Sequence, residues 1–567
     1  MKKKCIAITC IMGILLGLLS ACGGQPTSIA SDALEHATSA AGTPVVLEDT
    51  ATPEEPSSVS AQSDSILPIT EEPVTYRLWT GMAPYVSGYI NDFSENSVIQ
   101  ELERITSVHL EIQTLSNENE SQAFALLISS GSWDGIDILS SVDRYYVGGA
   151  NQAIQDGVLI DLRQPIADYV PNFQKTLDED EALRKIMVTD DGYITNFPLL
   201  YDEPMADYSG FMVRKDWLDE VNMAIPETYD ELHDALVAIQ TAHGATMLLP
   251  AMGCTTSDGF ASGFGISGKF YDMSQEFPFY VEDGIVKFGM VEEGYREFLT
   301  TLSQWYSEGL IYPEYYSASE MLASQDTSLT VDNRVSVIYD DVAMMGDYKN
   351  LSDDSDFNLA AIPDPVQEKG DINHIGFEAS RFNTNLWYVT SSCEDIETLC
   401  KWINYLYSEE GSLLCLYGVE GEGMEYDEDG LPQYSELITN NPDGINSKVA
   451  SCMYAIGDGA PIPYYTSYVK RPVNYSAEQE AAFDIWAAAS DEANNYPKGA
   501  TLNSIESEEA GNLMSDINTY VREMVTKFIV GQASLTDFDS FVDELNNMGV
   551  PRLLELYQNA YDRYLEK

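Results

Sequence analysis

The groups in this sequence that could do chemistry are mostly carboxylates: 92 Asp and Glu against 29 Lys and Arg. At that density chance neighbours are certain, so abundance alone does not supply the spaced acid pair that glycosidic cleavage requires. The sequence has no GxSxG, P-loop or HExxH. Its five histidines are isolated, which argues against zinc. Of the eight cysteines, Cys254, Cys393, Cys400, Cys415 and Cys452 lie beyond the N-terminal region, and no pair has metal-ligand spacing. Cys400 falls at an apolar helical position, so buried free thiols are expected; at most two disulfides are possible, and the sequence does not choose them. The acidic run Asp427-Glu428-Asp429-Gly430 lacks the ligand ladder and terminal glutamate of a calcium loop and reads as a solvated turn. No metal and no cofactor is expected.

The N-terminus carries a different chemistry. Lys2 to Lys4 precede an apolar run, Ile6 to Leu19, too short to span a bilayer. Leu19-Ser20-Ala21-Cys22 follows, which resembles the lipobox of bacterial lipoproteins, where the cysteine is lipidated and becomes the first mature residue. Residues 1–21 are then a signal peptide and Cys22 the anchor, its acyl chains contributing ~0.8 kcal/mol per buried methylene. Gly23-Gly24 gives no retention signal. Residues 22–75 lack aromatics and are rich in Ser, Thr, Ala, Pro and Glu, a composition that cannot offset ordering entropy. They are expected to form a disordered tether with an end-to-end distance of roughly 40 Å, and the folded part is expected from Tyr76. The net charge of −63 excludes a nucleic-acid partner.

About 490 residues remain for the body, a two-domain size. Thr75–Trp79, His109–Ile112 and Gly135–Leu139 read as strands. Val98–Ile105 and Ser121–Ser129 read as helices between them, which favours an α/β fold with a largely parallel sheet. Thr228 and Glu231 form a capping box for a helix through Leu232, Leu236 and Ile239. A second helix runs from Tyr295 to Tyr306 and stops at Gly309. A third is opened by Ser392 with Asp395. Val335–Tyr339 and Leu359–Ile362 read as strands of a second sheet. From Asn512 the pattern is helical, broken at Gly531 and Gly549.

Several stretches resemble the family 1 extracellular solute-binding proteins of ABC importers, in particular the long Gram-positive lipoproteins. They are Asp191–Leu200, Phe211–Leu232, Ser303–Tyr316, Tyr405–Gly430 and Lys527–Leu565, in the family's order. In the second of these, Asp216 can cap a helix and Trp217 and Val221 pack one face. The resemblance implies a periplasmic-binding-protein-like type II fold: two α/β lobes joined by crossover strands, with a ligand cleft between them and extra C-terminal helices. Lobe I would be 76–196 plus 383–474, and lobe II 197–382 plus 475–567.

A site for sugar rings needs aromatic faces and planar polar groups. Trp217, Trp305 and Trp402 lie on helical stripes and are expected in cores. Trp79 and Tyr85 follow the first strand. Asp143, Arg144 and Tyr145 follow the third, in a loop that carries ligand contacts in the maltose-binding protein. An Asp-Arg pair occurs there too, although the aromatic just before it is missing here. Tyr339 and Asp340 end a strand where that relative has a stacking tryptophan. Tyr201, Phe260, Glu378 and Trp387 sit near the expected crossings.

The resemblance thus implies capture of an oligosaccharide without chemistry, and delivery to a permease by a monomer held at the outer face of the membrane by its lipid alone. Two competing readings are a lipid-anchored glycoside hydrolase and a lipoprotein that reports ligand occupancy to a sensor kinase.

Overall fold

The computed structural model describes residues 67–567 except 83–85, 87–88, 117–119, 203–206, 250–259, 267–278, 319–326, 377–379, 446, 457–461, 467–475 and 489–490. The expected signal peptide, Cys22, Cys254, Tyr85, Glu378 and most of the expected tether lie outside these residues.

The strands, in chain order, are β1 (Val74–Met82), β2 (Val108–Ser116), β3 (Ile138–Leu139), β4 (Phe197–Tyr201), β5 (Ser209–Arg214), β6 (Thr246–Met247) and β7 (Phe279–Glu282). There follow β8 (Ile285–Phe288), β9 (Val335–Asp341), β10 (Leu359–Ala361), β11 (Phe382–Val389), β12 (Met424–Tyr426), β13 (Pro432–Tyr434) and β14 (Tyr465–Thr466). Two sheets organise the molecule, in the orders β14-β4-β11-β3-β1-β2 and β10-β5-β9-β6.

In the first sheet β1 runs parallel to β2 and β3, and β14 parallel to β4, while β11 is antiparallel to β3 and β4. The second sheet, expected to hold Val335–Tyr339 and Leu359–Ile362, is mixed: β5 is antiparallel to both β9 and β10, and β6 is parallel to β9. Phe197–Tyr201, expected to open lobe II, belongs to the first sheet; the crossing comes after Tyr201.

Each sheet has its own apolar core. Tyr76 and Leu78 of β1, Phe197 and Trp387 pack with Leu399, Trp402 and Ile403 on one face of the first sheet. A smaller cluster of Trp79, Phe124, Leu139, Val142 and Tyr388 covers the other face. The second sheet buries Phe211, Ile338, Phe298 and Trp305 together with Val521, Phe528 and Leu553 of the C-terminal helices. Trp217, Trp305 and Trp402 are buried, as their helical spacing implies. The folded part begins before Tyr76: Leu67 and Ile69 pack on the first core, and the Ile69 N–H donates to the Thr106 carbonyl at 3.0 Å.

Helix starts follow local capping chemistry, with some shifts from expectation. Asn96 Oδ1 accepts from the N–H groups of Val98 and Ile99, opening Ser97–Thr106. Thr228 caps Tyr229–His243, but the Glu231 carboxylate turns to the Glu227 N–H at 2.9 Å rather than closing the box on Thr228. Ile396–Leu406 is capped by Asp395, whereas Ser392 donates instead to Asp134. Asp216 does not cap either; it binds Arg214 through both oxygens, at 2.9 and 2.6 Å. Glycines at φ +75 (Gly309) and +115 (Gly549) stand where the helical patterns stop. The first C-terminal helix, Ser504–Ile529, starts earlier than Asn512 because Asn503 and Glu506 form a complete capping box.

Candidate functional site

β1, β2 and β3 run parallel, so Met82, Ser116 and Leu139 end on one edge of the first sheet, the edge at which α/β sheets present ligand groups. The segment leaving β3 is built closely onto that edge. Ser140 is buried; its N–H donates to the Trp79 carbonyl and its hydroxyl to Thr80 Oγ1, both at 3.0 Å. Ser141 then takes a left-handed conformation at φ 60°, unusual for a residue with a Cβ. Its hydroxyl donates to Glu120 Oε1 at 2.8 Å. Val142–Tyr145 forms one helical turn.

Within that turn Asp143 uses both oxygens: Oδ1 accepts from the Ala150 N–H at 3.0 Å and Oδ2 from the Tyr388 hydroxyl at 2.6 Å. The Arg144 guanidinium lies 5.3 Å from the centre of the Tyr145 ring, within cation–π range. Tyr145 in turn meets Phe124 at 5.9 Å. Glu120, in the first turn of helix Glu120–Ser130, is 2% exposed. Burial pushes its carboxyl above the usual range, against the Ser141 hydroxyl and the nearby Arg144 charge, which favour ionisation.

The structure therefore brings Asp143, Arg144 and Tyr145 together, with two participants that the sequence reading did not single out. Glu120 lies within the polar run Ser116–Gln122, where nothing in the sequence distinguishes it from its neighbours. Tyr388 adjoins Trp387, and successive strand residues face opposite ways. Trp387 points into the main core, fully buried against Trp402 at 5.4 Å, while Tyr388 points toward the loop. Both rings are buried, so neither offers an open face; Tyr388 reaches the loop through its hydroxyl.

Trp79, buried edge-on to Phe124 at 5.5 Å, supports the loop from below and offers no open ring face. In the second lobe Tyr339 packs edge-on to Phe211 at 5.2 Å, with its hydroxyl 3.2 Å from Ser209 Oγ. Asp340 is fully buried and accepts from the Tyr348 hydroxyl at 2.7 Å and the Asp341 N–H at 2.9 Å. Phe260 is a core residue, ringed by Phe211 at 5.0 Å and Tyr229 at 5.6 Å, so it joins Tyr339 on either side of Phe211. Tyr201 is likewise buried, and its backbone exchanges hydrogen bonds with Arg381. An aromatic enclosed on all sides has no face for a solute; its burial contributes to stability instead.

Among the described residues no group of three His, Cys, Asp or Glu is placed to hold a metal ion. Asp427 serves its own hairpin between β12 and β13, accepting from the Asp429 and Leu431 N–H groups at 2.9 and 2.8 Å.

A model of the bacterial extracellular solute-binding proteins matches residues 91–412, more than half of the chain. The chain belongs to that family. It is 23% identical over 526 residues to the fructooligosaccharide ABC transporter substrate-binding protein FusA of Streptococcus pneumoniae, covering 87% of this chain and 91% of FusA. FusA solved with kestose superposes with a TM-score of 0.67 at 20% identity, over 87% of this chain and 99% of that one. An HMO-binding, ABC-transporter-associated protein from Bifidobacterium longum infantis gives 0.70 at 17% identity, over the same shares. The alginate-binding protein AlgQ2, solved without calcium, gives 0.69 at 21%, again over the same shares. The fold is thus the two-lobed type II architecture of these binding proteins, whose family works in transport rather than catalysis.

Proposed function

We propose that this protein is the lipid-anchored binding component of an ABC importer, capturing an oligosaccharide between its lobes and handing it to a permease. The observation that carries this reading is likeness over 87% of this chain to FusA, a protein solved in complex with kestose. The loop after β3 supports it by presenting a cation, a carboxylate and a tyrosine ring on one turn at the ligand edge of the first sheet. In this reading Arg144 and Tyr145 face the sugar from the first lobe. Asp143 shapes the loop, and Tyr339 and Asp340 back the second lobe's surface. Tyr85 and Glu378 remain proposed contacts at positions outside the described residues. Residues 1–21 are removed, Cys22 carries the lipid, and the protein works as a monomer at the outer face of the membrane.

Calorimetry of the soluble body against kestose, Man5GlcNAc, an alginate oligosaccharide and an oligogalacturonide tests the reading. Saturable binding of one of them with a 1:1 stoichiometry is expected. Binding of none, or sustained release of smaller sugars from any, overturns it. Cys22→Ala should release intact, ligand-competent protein into the medium and lower uptake.

A further inference from the structure

We infer that Glu120 is the positioning residue of the proposed ligand loop, holding Ser141 in its left-handed turn and thereby aiming Asp143, Arg144 and Tyr145. The inference rests on the ligand reading only for its consequence in binding; its structural content stands without it. Ser141 adopts φ 60° and ψ 22°. A residue with a Cβ stays in that region only when its surroundings over-determine it. The one hydrogen bond described for its side chain is the 2.8 Å donation to Glu120 Oε1.

That carboxylate is enclosed, and the groups facing it come from two strand ends: Gly81 from β1, and Ser141, Arg144 and Tyr145 from the segment after β3. A carboxylate in the first turn of a helix is ordinarily a solvated partner of the helix N-terminus. Here it is withdrawn from water, so its hydrogen bonds to the loop replace those it would make to solvent, and releasing any of them leaves a buried acceptor unpaired. The turn that follows depends on the same geometry. The N–H groups of Arg144 and Tyr145 both donate to the Ser141 carbonyl at 3.2 Å, and Asp143 closes the far side on Ala150. Displacing Ser141 removes the origin of that ladder.

Amide hydrogen exchange on the unliganded protein tests this, comparing wild type with Glu120→Ala, Glu120→Gln and the double variant Glu120→Ala with Ser141→Gly. Glu120→Ala should speed exchange at Tyr145, Tyr146 and Ala150 by about tenfold or more while β1 and β2 keep their protection. Glu120→Gln retains an acceptor of the same shape and should leave the loop protected. Glycine adopts the left-handed turn unaided, so the double variant should recover most of the protection. Kestose affinity, where the wild type binds it, should fall and recover in the same order. The inference is overturned if Glu120→Ala leaves the loop protected, if all amides speed up together, or if Ser141→Gly restores nothing. Failure of the wild type to bind kestose would count against the fructooligosaccharide ligand alone, since the exchange comparison needs no sugar.

Discussion

Glu120 also makes a prediction about acidity. Its folded carboxyl titrates above the unfolded value, so in that interval the native state holds more protons than the unfolded one and loses stability as pH rises. Glu120→Gln removes the dependence. Its melting temperature relative to wild type should therefore become more favourable as pH climbs through the carboxylate range, and a difference that stays flat would show that Glu120 is solvated. The thiols give a second prediction. Burial pushes Cys393 and Cys400 up to about 12, and Cys415 higher still. In a body lacking Cys22 and Cys254, a thiol reagent at neutral pH should label these three far more slowly in the native state than in urea. Rapid native labelling of Cys400 or Cys415 would contradict their burial. Trp387→Ala should cost about 3–5 kcal/mol in urea titration and leave the loop's affinity for sugar little changed, because its ring fills the first core against Trp402.

At the scale of elements, how legible a feature was from sequence depended on whether the signal was local. Stripes such as Leu232, Leu236 and Ile239, or Tyr295 to Trp305, reported helices correctly, since periodicity and burial share one cause. Caps were harder. Asp395 and Ser392 are both competent N-cap residues, and the choice was made by Asp134, a partner more than two hundred and fifty residues away in sequence. The site divided in the same way. In the proposed site, Asp143, Arg144 and Tyr145 stand out by their place after a strand, whereas the bonds of Glu120 and Tyr388 to that loop arise only when three separate segments meet. One joint between helices is sharply specified. A Cβ added at Gly411 would lie 2.1 Å from the Tyr405 carbonyl oxygen, where Ser408 turns the chain from Ile396–Leu406 into Glu409–Tyr417. Gly411→Ala should destabilise by about 3 kcal/mol or more, because backbone must move to admit the methyl. An unchanged urea midpoint would mean that the joint is looser than its geometry implies.

Across the whole molecule, the C-terminal helices belong to the second core yet reach the first. Asp190, almost fully enclosed, pairs with Arg563 and with Lys567 at 2.6 Å, while Glu506 takes the other side of the Arg563 guanidinium. Gln155 donates to Ser504 at 2.9 Å nearby. Asp190→Asn should cost about 3 kcal/mol or more, since it leaves two cations facing an uncharged partner. Combining it with Arg563→Met should recover part of that loss, and strict additivity of the two would argue against a shared network.

The start of the folded part has a mechanical consequence. Leu67 and Ile69 pack on the first core, and β1 follows them directly into the first sheet, between β3 and β2. Any tension on the preceding segment is therefore borne by one lobe, through backbone bonds such as Ile69 to Thr106, and does not load the connections to the other. Under the proposed anchoring, a pull from the membrane would enter the molecule through the first lobe and not through the second.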